Sequence, residues 1–129
     1  MKSTTAFSVL RVVRALQFSE QGLRSAWRDE AAFRQEVALI AVTAPLTLWL
    51  DLPPLHTVLL LTLMGLVLIV ELLNSGLEAV VDKTTPEFNP LAAKAKDCGS
   101  AAVLVALVTF AGAWLILAGP TVWAVLTTP

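Results

Sequence analysis

Residues 55–82 read LHTVLLLTLMGLVLIVELLNSGLEAVVD, an uncharged run that continues directly into a polar segment. The uncharged part, residues 55–70, is typical of a helix that enters a membrane. If the helix continues, the next polar side chains recur at i, i+3, i+4, i+7 and i+11 and share one face. This polar stripe consists of Glu71, Asn74, Ser75, Glu78 and Asp82. Carboxylates are costly in hydrocarbon and usually serve a function there, so the stripe indicates a functional site.

The composition places the chain in a membrane. Of 129 residues, 57% are hydrophobic, and the mean hydropathy is +0.76. That is too apolar for a soluble domain, and the length fits one small domain spanning residues 1–129. A net charge of −1 without a basic cluster argues against a nucleic-acid partner. The single cysteine, Cys98, excludes an internal disulfide.

The apolar pattern predicts an all-α membrane protein with three transmembrane helices after an amphipathic surface helix. Residues 5–28 combine an apolar side with an arginine-rich side, typical of a helix lying in an anionic membrane surface. This charged region is not expected to be a cleaved signal peptide. The transmembrane helices are predicted at residues 33–50, 55–81 and 98–118. Gly119 and Pro120 should break the third, leaving a tail at 121–129 anchored by Trp123.

The distribution of basic residues predicts the orientation. All nine lysines and arginines precede the uncharged stretch that begins at Val37 or lie between the second and third spans. The positive-inside rule places the N-terminus and the 82–97 loop in the cytoplasm, and the C-terminus on the periplasmic or external side. The chain would be a multi-pass protein of a bacterial inner membrane, with the polar stripe at the cytoplasmic end of its helix.

The depths of the two glutamates in the stripe suggest different roles. Glu71 and Glu78 are about 10 Å apart along a helix axis, too far to share a proton directly. Glu78, near the headgroups, suits Mg²⁺ carrying phosphates, because Mg²⁺ prefers one or two carboxylates plus phosphate oxygens. Glu71, deeper in the membrane, suits a general base acting on a lipid hydroxyl.

Each of the charged residues outside the stripe could also have a purely structural role. Glu30 and Arg34 stand at i, i+4 and could form only an exposed helix pair, and Glu36 could likewise be structural. Lys94 and Lys96 could neutralise phosphate oxygens or could serve only to fix topology.

Three segments resemble the bacterial integral-membrane diacylglycerol kinases. They are EAAFRQE at residues 30–36, VELLNSGLEAVVD at 70–82 and AKDCGSAAVL at 95–104. The resemblance implies transfer of the ATP γ-phosphate, with Mg²⁺, to the hydroxyl of diacylglycerol, giving phosphatidate. It also implies a homotrimer whose active sites are shared between neighbouring subunits.

The resemblance also assigns roles to individual residues. It makes Glu71 the catalytic base and Glu30 and Glu78 the metal ligands. The further catalytic candidates are Asn74, Lys96 and Asp97. The candidate nucleotide-binding residues are Arg11, Phe18, Glu30, Glu78, Glu87, Asn89, Lys96 and Asp97. The candidate lipid-binding residues are Arg11, Arg24, Glu36, Trp49, Glu71 and Ser100.

Two other functions remain open from the residues. An undecaprenol kinase of the same fold would need the same base and metal, so the stripe does not separate the two acceptors. A small oligomeric channel or transporter subunit would distribute its acids along a pore. The clustering of Glu30, Lys96 and Asp97 at one membrane boundary counts against that function.

Overall fold

A computed structural model describes residues 9–128, and within them the chain is entirely helical. The helices are α1 (Val9–Asp29), α2 (Ala31–Trp49), α3 (Pro54–Thr84), α4 (Pro90–Leu117) and α5 (Gly119–Thr127). Three of them, α2, α3 and α4, are long and apolar enough to cross a membrane. The fold class predicted from the apolar pattern is therefore confirmed at the level of an all-α chain with three long apolar helices.

The helix bounds differ from the predicted spans at several ends. α3 continues to Thr84, and α4 begins at Pro90, well before Cys98. The early start has a local cause: the Asn89 side chain accepts hydrogen bonds from the backbone N–H groups of Leu91 and Ala92, at 2.8 and 3.4 Å. This N-cap, followed by proline at the first helical position, is a favourable helix start. Residues 5–8 of the predicted surface helix lie outside the described residues.

The core is thin and follows the centre of the bundle. α3 packs against both α2 and α4, and the middle of the bundle is filled by Met64, Val67, Ala106 and Phe110. A second cluster, at the end of the bundle near the α2–α3 turn, contains Leu50, Leu52, Leu60 and Ala118. Many large apolar side chains remain exposed. This is the pattern of helices whose outer faces contact lipid rather than water.

A polar contact joins α2 and α4 directly. The indole N–H of Trp114 donates to the Thr47 hydroxyl at 3.1 Å, and that hydroxyl donates to the Thr43 carbonyl at 2.7 Å. Thr47 is fully buried, so the indole supplies the donor that its oxygen would otherwise lack. Such interhelical hydrogen bonds contribute about 0.6 kcal/mol in membrane bundles.

The corner between α1 and α2 sets the position of Glu30. The Arg34 guanidinium donates to the carbonyls of Trp27 and Arg28, at 2.8 and 3.1 Å. These are among the carbonyls that the end of α1 leaves without helical partners. The reading of Arg34 as the helix partner of Glu30 is therefore wrong. Arg34 ties the end of α1 to α2, and Glu30 lies at the N-cap of α2 in extended conformation.

Candidate functional site

One cleft collects most of the predicted catalytic and metal-binding side chains. It has a volume of about 290 Å³. It lies between the start of α2, residues 71–78 of α3 and residues 100–103 of α4. Its lining residues are Glu30, Ala32, Glu71, Asn74, Glu78, Ser100 and Val103. We call this space the carboxylate cleft, because three acidic side chains from two helices line it.

Glu71 is the most deeply placed acid of the cleft. Its side chain is 3% exposed, and its charge interacts with those of Glu30 and Glu78. Glu36 on α2 is 5% exposed and close enough to Glu71 for the two charges to interact. One carboxylate oxygen of Glu36 has no hydrogen-bond partner among the described residues. Helices α2 and α3 thus bring two buried carboxyl groups together beside the cleft.

Asn74 links the stripe to α4. Its amide N–H group donates to a carboxylate oxygen of Glu78 at 3.3 Å, one turn along α3. Its amide oxygen faces Gly99 of α4 so closely that a methyl group at Gly99 would overlap it. The absence of a side chain at Gly99 therefore allows Asn74 to sit between the helices and orient Glu78.

Lys96 and Asp97 are placed differently from each other. The Lys96 ammonium donates to the Asp82 carboxylate at 2.9 Å, which pairs it with the last acid of the stripe. Its charge is also attracted by Glu78. Asp97 is exposed and does not line the carboxylate cleft. Lys96 therefore lies beside the cleft without lining it, close enough to Glu78 for the two charges to attract each other.

A second, smaller space of about 250 Å³ adjoins Lys96 under the α3–α4 loop. Glu87 and Asn89, both predicted to contact nucleotide, line it. The side-chain oxygen of Asn89 already caps α4, so only its amide nitrogen is available to another group. Lys96 borders this loop space, and its partner Asp82 does so too.

Six predicted residues line neither of these two spaces in a single chain: Arg11, Phe18, Arg24, Glu36, Trp49 and Asp97. Arg11 and Phe18 are exposed on α1, and Arg24 is exposed there and pairs with Glu20 at 2.6 Å. Trp49 is exposed at the end of α2, far along the bundle from Glu30 at its start. Their assigned roles in nucleotide and lipid binding stay predictions.

Ser75 belongs to a different space from the rest of the stripe. A cavity of about 650 Å³ lies between α1 and α3, and its lining includes Ser75, Gly76, Ser25 and Asp29. Glu30 borders this cavity as well as the carboxylate cleft. Beside it, the hydrogen bond from the Arg28 guanidinium holds the pKa of Asp29 below its ordinary value. The cavity is large enough for part of a ligand that approaches Glu30 from the side of α1.

The carboxylates suit a magnesium ion that arrives with phosphates. Among residues 9–128 no group of three or more metal-binding side chains is assembled. Mg²⁺ does not need one, because it commonly takes one or two carboxylates and completes its shell with phosphate oxygens and water. Glu30 and Glu78 offer such oxygens across the cleft. The cleft lining contains three acids and no basic residue, a charge balance that a cation would offset.

Three residues that complete the site were not among the predicted site residues. Ala32 and Val103 form part of the cleft wall, and Gly99 accommodates Asn74. Ala32 and Gly99 belong to the small-residue segments of α2 and α4, the signal that could have pointed to close helix approach.

Comparison with known proteins places these residues in a family. The model of the prokaryotic diacylglycerol kinase family matches residues 17–118, which include every residue of the carboxylate cleft. The chain belongs to this family. A diacylglycerol kinase of Escherichia coli is 45% identical over 115 residues, covering 89% of this chain and 93% of that protein. This confirms the family predicted from the three sequence segments.

Relatives from other bacteria match over similar lengths. A diacylglycerol kinase of Pseudomonas aeruginosa is 44% identical over 104 residues, covering 81% of this chain and 85% of its own. One of Haemophilus influenzae is 39% identical over 114 residues, covering 88% and 95%. The likeness therefore extends over α2, α3 and α4, the helices that build the cleft.

A substitution at Gly99 should destabilise the contact between α3 and α4. We expect Gly99→Ala to cost about 1–3 kcal/mol, because the new methyl group overpacks against the Asn74 amide. Unfolding of the purified protein in detergent measures the change. Gly112→Ala is the matched control: it lies in the same helix, its added methyl group would meet open space, and it should be neutral or slightly stabilising. Equal effects of the two variants would contradict the packing assigned to Gly99.

Proposed function

We propose that this protein is a diacylglycerol kinase that transfers the γ-phosphate of ATP, bound with Mg²⁺, to the free hydroxyl of diacylglycerol. The observation that carries the proposal is the carboxylate cleft, in which Glu30, Glu71, Asn74 and Glu78 converge in a chain of the diacylglycerol kinase family. Phosphoryl transfer depends mainly on positioning and charge neutralisation, and the cleft offers residues for both.

Glu30 and Glu78 are the proposed metal ligands. They reach the cleft from different helices, so a shared cation would fix the start of α2 relative to α3. When bound, Mg²⁺ would neutralise charge on the phosphates of the nucleotide. Asn74 orients Glu78 through its amide, and Lys96 beside the cleft is placed to exchange its bond with Asp82 for one to a phosphate.

Glu71 is the proposed general base. It lies deeper than Glu78 on the same face of α3 and lines the carboxylate cleft, through which the hydroxyl of a membrane lipid would reach it. The carboxylate would take the hydroxyl proton as the lipid oxygen attacks the γ-phosphorus, and the bond to the ADP oxygen would break. Glu36, Ser100, Arg24 and Trp49 are the remaining proposed contacts to the lipid.

The assembly and orientation are part of the same proposal. The protein would lie in the bacterial inner membrane with residues 82–97 on the cytoplasmic side and α1 along the membrane surface. A homotrimer with shared sites would cover the open side of the carboxylate cleft, where Ser100 is exposed in the single chain. A neighbouring subunit could also bring Arg11, Phe18 and Asp97 towards nucleotide.

The acceptor is tested by direct comparison of two lipid alcohols. Purified protein in mixed micelles is given ATP labelled on the γ-phosphate together with diacylglycerol or undecaprenol. We expect labelled phosphatidate to form faster than undecaprenyl phosphate at equal mole fraction of acceptor. Preferential labelling of undecaprenol would show that the acceptor is undecaprenol, while phosphoryl transfer to a lipid hydroxyl would still hold. Absence of label in both lipids would contradict a lipid kinase.

A further inference from the structure

Helix α5 is the one described helix that lies beyond the residues matched by the family model. The match ends at residue 118, and α5 comprises Gly119–Thr127. No charged residue follows Asp97, so α5 has no charged face to present to water. Its large side chains Trp123, Val125 and Leu126 are 71%, 51% and 77% exposed.

α4 ends at Leu117, just before the predicted break at Gly119 and Pro120, but two backbone hydrogen bonds carry the helical pattern across Ala118 into α5. The Ala118 N–H donates to the Trp114 carbonyl at 2.9 Å, and the Val122 N–H donates to the Ala118 carbonyl at 3.0 Å. Positions seven or eleven residues apart on such a helix share a face. Ile116 and Trp123 therefore face one direction, and Leu115 and Leu126 face a second direction roughly 60–100° away. All four are exposed, so α4 and α5 both present apolar side chains on a strip roughly 100° wide.

The start of α5 is held by the bundle. Val122 packs against the cluster of Leu50, Leu52, Leu60 and Ala118. The helix is therefore attached at its start, while its remaining turns extend about 13 Å beyond Ala118.

We propose that α5 is a lipid-binding element that continues the lipid-facing surface of α4 into the boundary of the outer leaflet. The bilayer itself contacts this face, because the exposed face follows directly on that of a span-length helix and shares its apolar character. Trp123 fits the interfacial zone, where indole rings are enriched. Since α5 carries no charge, its contact should not depend on the charge of the headgroups, in contrast to the basic helix α1.

Nitroxide accessibility tests this proposal on the full-length protein in liposomes. With Cys98→Ala as background, single labels are placed through Trp123→Cys and Leu126→Cys. Val108→Cys serves as a lipid-exposed reference, Lys83→Cys as a water-exposed reference and Val122→Cys as a packed control. We expect severalfold higher collision rates with oxygen than with a water-soluble nickel chelate at residues 123 and 126. The ratio should lie close to that of residue 108 and be the same in phosphatidylcholine and in mixtures with phosphatidylglycerol.

Three results would overturn the proposal. Nickel collision rates at residues 123 and 126 that equal those at residue 83 would place α5 in water. Low rates with both reagents, as expected for residue 122, would show that protein, such as α5 of a second copy, covers this face. A ratio that rises only with phosphatidylglycerol would contradict a charge-independent contact. None of these readouts depends on kinase activity, so the test is separate from the proposed function.

Discussion

Glu71→Gln is expected to lower kcat for diacylglycerol phosphorylation by about 10²–10⁴-fold, the usual contribution of a general base. Glutamine has nearly the same shape but cannot accept the hydroxyl proton. Because Glu71 is almost fully buried, the neutral amide should be accommodated at least as well as the carboxylate. The measurement is the rate of labelled phosphate transfer at saturating Mg·ATP and lipid, together with the oligomeric state in detergent.

Asp51→Asn is the matched control for this acid-to-amide change. Asp51 is exposed in the α2–α3 turn, away from the cleft, and has a φ of 49° that asparagine also tolerates. It should leave the transfer rate unchanged. Wild-type turnover by Glu71→Gln with unchanged assembly would contradict its assignment as the base.

Glu78→Gln is expected to weaken the use of Mg·ATP rather than the proton transfer. Loss of groups that only orient metal ligands costs about 10–100-fold in metal affinity, and loss of a direct ligand should cost no less. The apparent KM for Mg·ATP should therefore rise by at least about 10-fold, and excess Mg²⁺ should recover part of the activity. Steady-state kinetics at several Mg²⁺ concentrations measure both effects.

Glu20→Gln provides the control for the loss of an acid near the same membrane face. Glu20 is exposed on α1 and does not line the carboxylate cleft. Its substitution should leave the KM for Mg·ATP unchanged. An unchanged KM in Glu78→Gln, or a loss of kcat that Mg²⁺ does not relieve, would mean that Glu78 does not hold the metal.

The spacing of the polar stripe predicted which side chains of α3 form the site, but not that they face two separate spaces. Glu71, Asn74 and Glu78 do line one cleft, as their helical positions indicated. Ser75, however, lines the cavity beside α1, because it lies roughly 100° around α3 from Asn74. α4 packs on the Asn74 side of the stripe. A stripe of that width faces two neighbouring helices. Only the packing of α1 and α4 determines which side chain faces which space.

The junctions between helices were harder to predict than the helices themselves. Hydropathy identified the three long apolar helices because their periodic pattern and length are local properties. Arg34 bonding to the carbonyls at the end of α1 depends on how two helices meet, which spacing does not encode. Asn89 was assigned to nucleotide by resemblance, although an asparagine before a proline is also a helix-start signal.

In the proposed mechanism, one cleft divides its carboxylates between nucleotide binding and proton transfer. Equilibrium titration of wild type, Glu71→Gln and Glu78→Gln with Mg²⁺ and the β,γ-imido analogue of ATP tests this division most directly, because no turnover is involved. We expect Glu71→Gln to bind the complex at least as tightly as wild type, whereas Glu78→Gln should bind it at least about 10-fold more weakly. Equal weakening in both variants would contradict the separation of roles.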